Sequence, residues 1–436
     1  MKKSFLILFL LPFLACGVEN APLSLTISID KKDGVYPGGG IVNLSVLLKK
    51  EGKFFAGQKM GYYLSSTKSN KKFYPFTSNG KKQEFSIPIP HEYLFIEVAA
   101  LDEQGKIYTY RKGGKTIAVK KSIGVVADPE KITTAIPEPA DFRKYWDDAL
   151  KELAEVPLKS TLKEVEVPAR YKGKFQCYDV TVESLPGSFP VRGYLTIPVA
   201  EGEKKFPAIV YFHSAGVRGA VQRYENNFIV FDVNAHGVEN GKDSFYIQNL
   251  MKNEMKGFLY KGYTKRETCV FRTVILRMKR ALDFIKKHPL YDGKNLITYG
   301  GSQGGALAII TAGLDQDVTC VHAIVPALGD QGGALIPGRN AGWPYYIGVK
   351  NGKVLNKSIA ASVIYYDTAY FAKYVKAKTF MTVGLMDPVC VPTAVFSIYN
   401  NLPAGKKVLV IHPSAGHGTA PVGEFLAWKK TLVSGK

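Results

Sequence analysis

Cysteine is scarce in this sequence, and the patterns that cysteine and histidine form around metal ions are missing. Five cysteines occur among 436 residues, and no two form a Cys-x-x-Cys pair, which argues against a zinc ribbon or a redox motif. The seven histidines show no metal-ligand spacing, so the sequence predicts neither a metal nor a cofactor. Four cysteines stand in apolar contexts that favour buried free thiols, with disulfides as the alternative in an oxidising compartment: Cys177, Cys269, Cys320 and Cys390.

Acidic residues are also few. Asp and Glu number 37 against 58 Lys and Arg, which gives a formal net charge of +21. The basic residues are scattered, many of them as pairs such as Lys71-Lys72, and they form no long basic run. Because no nucleic-acid-reading motif accompanies the charge, we expect no nucleic acid partner.

Long apolar runs are absent beyond the first residues, which excludes a polytopic membrane protein. Two lysines precede an apolar stretch at 5–14 that is too short to span a bilayer, and residues 1–16 are predicted to be a signal peptide. Ala15-Cys16 resembles a bacterial lipoprotein processing site, at which Cys16 would be lipidated. Ordinary secretion is the alternative. We therefore expect an exported protein whose only membrane contact is a lipid anchor.

Residues 22–125 are predicted to form an all-β domain. Short alternating or apolar runs are separated by turn signals such as Ser78-Asn79-Gly80. Their number and spacing predict a small immunoglobulin-like sandwich that precedes the rest of the chain. The expected strands are Leu23–Ile29, Ile41–Leu48, Lys59–Leu64, Glu84–Ile89, Leu94–Leu101 and Ile107–Arg111.

A proline-containing linker separates this domain from residues 138–434, where the pattern changes. A helix capped by Asp141 comes first. Near-continuous apolar strands then alternate with helices, which predicts an α/β fold with a doubly wound, mostly parallel sheet. The expected strands are Cys177–Ser184, Val191–Ile197, Ala208–Phe212, Phe228–Val233, Leu296–Tyr299, Val318–Val325, Thr379–Val383 and Lys407–Ile411, and the helices include Cys269–Lys287, Ala306–Ala312 and Thr393–Asn400.

The sharpest motif surrounds Ser302, in Gly300-Gly301-Ser302-Gln303-Gly304-Gly305. It lies between a predicted strand and a predicted helix, the context of the nucleophile elbow of an α/β-hydrolase. The turn would expose the serine hydroxyl, and the helix N-terminus would direct N–H groups at a developing oxyanion. A plain helix-capping serine is the alternative, but it does not explain glycine on both sides.

A serine nucleophile needs a base, and the base needs a partner that orients it. Asp387 and His417 each follow a predicted strand, and ligands of open α/β sheets bind at such strand ends. The chain order Ser302, Asp387, His417 is that of an α/β-hydrolase. The sequence therefore predicts a catalytic triad, with ordinary loop roles for the acid and the histidine as the alternative and His412 as the rival base.

The oxyanion hole is predicted from two backbone N–H groups. Gln303 follows the nucleophile and supplies the first. Ala215 supplies the second, from the loop after the strand Ala208–Phe212.

The segment from 138 to 434 resembles the acetyl xylan esterase / cephalosporin-C deacetylase family, carbohydrate esterase family seven. The resemblance is carried by five stretches: Tyr145–Leu150, Gly300–Ala308, Tyr365–Asp367, Val383–Cys390 and Phe396–Asn400. It implies an α/β-hydrolase fold and a serine esterase that removes short acyl groups, above all acetyl, from a poly- or oligosaccharide. An acylated carbohydrate is thus the expected partner, and a homo-oligomer stays open.

The sequence departs from the family pattern at three places. Asn234-Ala235-His236 stands where the family usually has Arg-Gly-Gln, His213-Ser214-Ala215 where it has His-Gly-Tyr, and His417-Gly418 where it has His-Glu.

Three side chains are predicted to contact the substrate. His213 and His236 follow strand ends, although His213 also fits a loop-shaping role. Trp343 lies in a cap-like segment, 329–375, where it would stack on a sugar ring or pack within the cap. Two alternatives to the esterase remain: a serine peptidase of the prolyl-oligopeptidase type, and a sugar-binding lipoprotein without activity.

Overall fold

The computed structural model describes residues 23–67, 70–199, 202 and 204–432. The predicted signal peptide and Cys16 lie outside the described residues. Within those ranges, the helices are too short or too polar to cross a bilayer. An all-β region comes first, and a larger mixed α/β region follows it.

The all-β region is a sandwich of two sheets. One sheet contains β1, β3, β4 and β7, and the other has the order β2-β11-β8-β5-β6, while β9 and β10 pair as a separate hairpin. The strands are β1 (Leu23–Ile29), β2 (Val35–Tyr36), β3 (Ile41–Lys50), β4 (Lys53–Phe54), β5 (Ala56–Ser65), β6 (Lys72–Asn79), β7 (Gln83–Pro88), β8 (Tyr93–Ala100), β9 (Thr109–Lys112), β10 (Lys115–Ala118) and β11 (Lys120–Ala127).

The sandwich core follows from the two-residue period of its strands. In β3, Val42, Leu44, Val46 and Leu48 are buried while the residues between them are more exposed. The facing strand β8 supplies Leu94, Ile96 and Val98 to the same cluster. This alternation gives each sheet one apolar face, and the two faces bury each other.

The α/β region is built on one nine-stranded sheet of order β12-β13-β14-β16-β15-β17-β18-β21-β22. The strands from β16 to β22 in that order are parallel, and β12, β13 and β14 run antiparallel to their neighbours. The elements are α1 (Phe142–Glu155), β12 (Ser160–Glu164), β13 (Phe175–Val182), β14 (Val191–Pro198), β15 (Phe206–Phe212), β16 (Ile229–Val233), α2 (Ser244–Lys252), α3 (Val270–Lys286), β17 (Tyr291–Gly301), α4 (Gln303–Leu314), β18 (Val318–Ile324), β19 (Val349–Lys350), β20 (Lys353–Val354), α5 (Lys357–Val363), α6 (Thr368–Ala372), β21 (Lys378–Gly384), α7 (Pro392–Asn401), β22 (Lys407–His412) and α8 (Gly423–Thr431).

Helices cover the sheet, so its central strands are buried. On one face α1, α3 and α4 contribute to the large core, and every residue of α4 is buried. The other face packs beneath α8, where Phe425 lies in a cluster with Ile297 and Phe380. The arrangement confirms the predicted α/β-hydrolase class and its preceding all-β region. Asp141 does precede α1, but its carboxylate binds Arg266 and Tyr365 rather than the helix, so the predicted cap is wrong.

The sandwich contacts the α/β region beside two loops of the larger sheet. The Tyr93 hydroxyl donates a hydrogen bond of 2.7 Å to the Leu385 carbonyl. The Gly124 N–H donates one of 2.9 Å to the Pro413 carbonyl. A Cβ on Gly124 would lie 2.1 Å from the Leu385 oxygen, so only glycine allows the backbones to approach this closely.

Candidate active site

Ser302 occupies a strained turn between β17 and α4. Its φ of 55° and ψ of −121° lie outside the regions that side-chain-bearing residues favour, at a cost of about 1–3 kcal/mol. Its N–H donates to the Ile324 carbonyl at 2.9 Å, and its carbonyl accepts from the Ala327 N–H at 3.1 Å. These bonds to the last residue of β18 and to the segment after it hold the turn, as the predicted elbow requires.

Glycine is needed where the elbow crosses its neighbours. A Cβ on Gly304 would lie 2.1 Å from the Phe212 carbonyl oxygen, and one on Gly300 would lie 2.3 Å from the Gly304 carbonyl carbon. A Cβ on Gly301 would meet nothing nearer than 3.8 Å. Gly300 and Gly304 are therefore required because the backbone approaches too closely at both positions for a side chain.

His417 and Asp387 are joined by a hydrogen bond of 2.8 Å between Nδ1 and Oδ2. The other carboxylate oxygen accepts the N–H groups of Val389, at 2.8 Å, and Cys390, at 3.0 Å. Burial raises the pKa of Asp387, while the bond to His417 and the two N–H groups lower it. The arrangement fixes the imidazole with Nδ1 toward the acid, which leaves Nε2 for proton transfer.

The two loops that carry this pair support each other. The Met386 N–H donates to the Ala415 carbonyl at 2.9 Å. A Cβ on Gly384 would lie 2.4 Å from the Gly416 carbonyl oxygen. The rival base His412 ends β22, and its Nε2 is buried with no hydrogen-bond partner among the described residues. Asp387 is thus bound by His417 rather than by His412.

Cys390 lies between the serine and the acid–histidine pair. Its sulfur is 3.8 Å from the Ser302 hydroxyl oxygen. One donor atom each from Asp387, Cys390 and His417 lies within 4.8 Å of the others, a spacing at which three groups could share an ion. Burial raises the pKa of the Cys390 thiol, which is therefore neutral in this arrangement. The 2.8 Å bond between Asp387 and His417 holds two of these three groups together directly.

The loop after β15 lies against the elbow, where the oxyanion hole was predicted. The Ser214 hydroxyl donates to the Gly301 carbonyl at 3.0 Å, and Ala215 follows on the exposed part of the loop. Gln303 opens α4, and the first N–H groups of a helix have no partner within it. Gln303 directly follows Ser302, and the Ser214 bond holds the loop that carries Ala215 against the elbow. The role of both residues as oxyanion donors stays a prediction.

The residues predicted to contact substrate lie in different surroundings. His213 is buried with Nε2 on Asp232, which favours a loop-shaping role. His236 is buried against Phe258, and its Nε2 has no partner among the described residues. Trp343 is partly buried against the main core. The hydroxyl of its neighbour Tyr345 donates to the carbonyls of the loop after Asp387, at 2.8 and 2.9 Å.

A buried acid pair supports the segment after β18, and sequence reasoning missed it. Asp367 accepts the N–H groups of Asp330 at 3.1 Å and Gln331 at 2.9 Å. Burial raises the pKa of Asp367 to about 7, and the charge of Asp330 adds to this. Asp330 in turn binds Arg339, which also pairs with Glu92 of the sandwich. The only sequence signal was the Tyr365–Asp367 stretch that carried the resemblance.

The four described cysteines are buried free thiols, as the sequence predicted. Burial raises the pKa of Cys177 to about 11 and that of Cys269 to about 12, and it raises the pKa values of Cys320 and Cys390 further. All four are therefore protonated at neutral pH.

In a comparison with known proteins, residues 130–431 match the acetyl xylan esterase (AXE1) family. Acetyl esterase Axe7A of Xylanibacter ruminicola is 30% identical over 316 residues, which cover 70% of each chain. Acetyl xylan esterase 1 of a Thermoanaerobacterium species is 25% identical with a TM-score of 0.52, over 70% of this chain and 96% of that one. An acetyl xylan esterase of a Paenibacillus species, 22% identical with a TM-score of 0.55, covers 70% of this chain with 97% of its own and shares the fold.

Proposed function

The chain belongs to the acetyl xylan esterase family, a family of serine carboxylic-ester hydrolases, and on that premise we propose that it is an exported carbohydrate esterase that removes acetyl groups from a poly- or oligosaccharide. The observation that carries the proposal is the 2.8 Å bond between His417 and Asp387, which lie at the C-terminal end of the parallel strands. Ser302 lies at the same end of the sheet, in its strained turn.

The proposed reaction passes through an acyl-enzyme. Ser302 Oγ attacks the acetyl carbonyl carbon while Nε2 of His417 accepts the hydroxyl proton. The tetrahedral intermediate breaks the bond to the sugar oxygen, which takes that proton from His417. Water then attacks the acetyl-serine, gives its proton to His417 and releases acetate as the proton returns to Ser302. Asp387 keeps the imidazole oriented and stabilises its charged form throughout.

The oxyanion that forms at each step is assigned to the N–H groups of Ala215 and Gln303. One such donor is worth roughly 2.7–4 kcal/mol in the transition state. The bond from Ser214 to the Gly301 carbonyl supports the assignment because it ties the Ala215 loop to the elbow.

Export is proposed from the first residues, with lipidation at Cys16 as the finer form of the proposal. A lipoprotein and a freely secreted enzyme differ in mass and in their partitioning between membrane and water. Growth with a labelled fatty acid, compared between the wild type and Cys16→Ala, distinguishes a lipoprotein from a freely secreted enzyme.

The test is hydrolysis of a short-chain aryl acetate and of an acetylated oligosaccharide by the wild type and Ser302→Ala. We expect Ser302→Ala to lose several orders of magnitude in turnover and all labelling by an organophosphate probe. Ser160→Ala is the matched control, because Ser160 is exposed on β12 at the far edge of the sheet. Near-normal turnover by Ser302→Ala overturns the triad. Folded wild type that cleaves peptide esters and amides but no acetyl ester overturns the proposed substrate.

A further inference from the structure

A cavity of about 320 Å³ lies beside α3, outside the cluster of Ser302, Asp387 and His417. Its walls come from the loop after β13, from the turn after β16 and from the first half of α3. The residues that matter for its chemistry are Glu152, His236, Lys261, Arg272 and Arg277.

The charge of the cavity is positive. Arg277 is completely buried, and its Nε and Nη1 donate to the carbonyls of Phe189, at 3.0 Å, and Ala235, at 2.6 Å. Among the described residues, no carboxylate pairs with it, and burial is the only influence on its pKa. Burial alone lowers the pKa of Arg277 to about 10, so it is still charged at neutral pH. A buried cation held only by carbonyl dipoles is unusual, since buried charges are normally paired.

The neighbouring groups add to that charge. Lys261 is exposed, and its Nζ binds the backbone carbonyl of Glu254 rather than a carboxylate. Arg272 pairs with Glu152, the one acidic residue in the cavity wall. The wall therefore carries two positive charges in excess of its negative charge.

Two buried nitrogens of the cavity wall have no protein partner. They are Nε2 of the His236 ring and Nε of the Arg272 guanidinium, and each is buried without a hydrogen bond among the described residues. Burial lowers the pKa of His236 to about 4, so the ring is neutral and adds no charge. Buried polar atoms without partners are rare in native proteins, and here both belong to residues that line the cavity.

The cavity and the elbow both lie at the C-terminal ends of the parallel strands. His236 follows β16 and Ser302 follows β17, and β15 alone separates these strands. Two strand spacings amount to about 10 Å. A single oligosaccharide can therefore span both places, with the acetylated sugar at Ser302 and a neighbouring sugar at the cavity.

We propose that this cavity, the Arg277 cavity, is a subsite for a carboxylate-bearing sugar of the acetylated glycan. Arg277 and Lys261 supply the charge, and the unpartnered nitrogens of His236 and Arg272 supply hydrogen-bonding atoms beside it. The inference rests on the proposed function, because it names the class of glycan that the esterase prefers. A neutral sugar would leave the Arg277 charge without a counter-ion, whereas a uronate carboxylate would supply one.

The kinetic test compares two acetylated oligosaccharides of equal length, one carrying a uronic acid branch and one neutral. The wild type should prefer the acidic substrate by about tenfold or more in kcat/KM, as one charge-assisted hydrogen bond predicts. Lys261→Met and Arg277→Met should bring that ratio toward one. Each rate is divided by the same protein's aryl acetate turnover, which corrects for folding and for the triad. If Arg277→Met does not fold, the exposed Lys261→Met decides. Equal kcat/KM values for the two glycans with the wild type overturn the subsite.

A binding test separates this subsite from the proposed substrate. Titration of the wild type with D-glucuronate should show salt-sensitive binding that Lys261→Met weakens, and this result supports the subsite even if neither glycan is deacetylated. Loss of glycan turnover with aryl acetate turnover intact counts against the carbohydrate substrate only. Absence of glucuronate binding, or equal binding of glucuronate, inorganic phosphate and sulfate, overturns the assignment to a carboxylate-bearing sugar.

Discussion

The hydroxyl of Tyr93 lies 2.7 Å from the carbonyl oxygen of Leu385, two residues before Asp387. The bond connects the sandwich to the loop that holds the acid. The Gly124 N–H makes a similar bond to Pro413, four residues before His417. The sandwich thus contacts both the loop that carries Asp387 and the loop that carries His417. Its strands form part of the frame that sets the distance between the two groups.

Tyr93→Phe should therefore reduce activity without removing any group that touches substrate. Loss of one hydrogen bond costs about 1 kcal/mol, and we expect a several-fold lower kcat with a small decrease in Tm. Steady-state kinetics on an aryl acetate and thermal unfolding measure the two effects. Tyr63→Phe, on β5 of the same sandwich, is the matched control. Equal kcat values for both variants and the wild type would show that the bond does not position the acid loop.

Asp387→Asn should lower kcat by about 10³–10⁴, because an amide in this place favours the wrong imidazole tautomer. The N–H groups of Val389 and Cys390 can still donate to the amide oxygen, so the fold should persist. Stopped assays with high enzyme concentration give the residual rate. Asp317→Asn removes an exposed carboxylate and should retain full activity. A loss of less than tenfold in Asp387→Asn would contradict the role of Asp387 as the acid of the triad.

Alanine substitutions at the glycines of the elbow should affect stability differently, according to how closely the backbone approaches each position. Gly304→Ala places a methyl group 2.1 Å from the Phe212 carbonyl oxygen and should unfold the turn or shift Ser302. Gly301→Ala meets nothing nearer than 3.8 Å and should keep a Tm close to that of the wild type. Thermal unfolding of the two variants, followed by organophosphate labelling of Ser302, checks both expectations. Similar Tm values for the pair would contradict the close approach at Gly304.

Asp367 should make stability depend on pH in a defined direction. Its pKa is about 7 in the folded protein, whereas an unfolded aspartate has a pKa near 3.9. Between about pH 4 and pH 7 the folded state binds more protons than the unfolded state, so stability falls as pH rises through that window. The slope is up to about 1.4 kcal/mol per pH unit.

Urea unfolding of the wild type and Asp367→Asn at pH 5 and pH 7 measures the contribution of Asp367 together with its coupling to Asp330, because the remaining titrations are common to both proteins. The free energy of unfolding of the wild type, relative to that of the variant, should be lower at pH 7 than at pH 5. A difference that does not change with pH would mean that Asp367 titrates normally.

The sequence predicted the parallel strands of the large sheet well, but it missed β11 of the sandwich and the exposed edge strands β6 and β12. Apolar runs located the parallel strands from β15 to β22, since strands buried on both faces need them. β6 was missed because Pro75 lies within it; β6 is an edge strand, where a proline disrupts no ladder. β12 was missed because all its residues are exposed and only backbone pairing with β13 holds it.

The site was predictable where its signal is local. Ser302 carries its glycines beside it, and Asp387 and His417 follow strands, so their meeting could be inferred from the fold. The neighbours that come from a distance gave no such signal. Nothing near Tyr93 points to Leu385, which is 292 residues away. The sulfur of Cys390 lies 3.8 Å from the Ser302 hydroxyl in the folded protein, but the two residues are 88 positions apart and no local motif links them.

The four buried thiols make the order of folding and oxidation decisive. Once the chain has folded, each sulfur is enclosed and protonated, and an oxidant or an alkylating reagent meets none of them readily. Before folding, the same four groups are open to one another and can form mispaired crosslinks that the native packing cannot accommodate. Denatured protein should therefore return to activity in a reducing buffer and be trapped as inactive material in an aerated one.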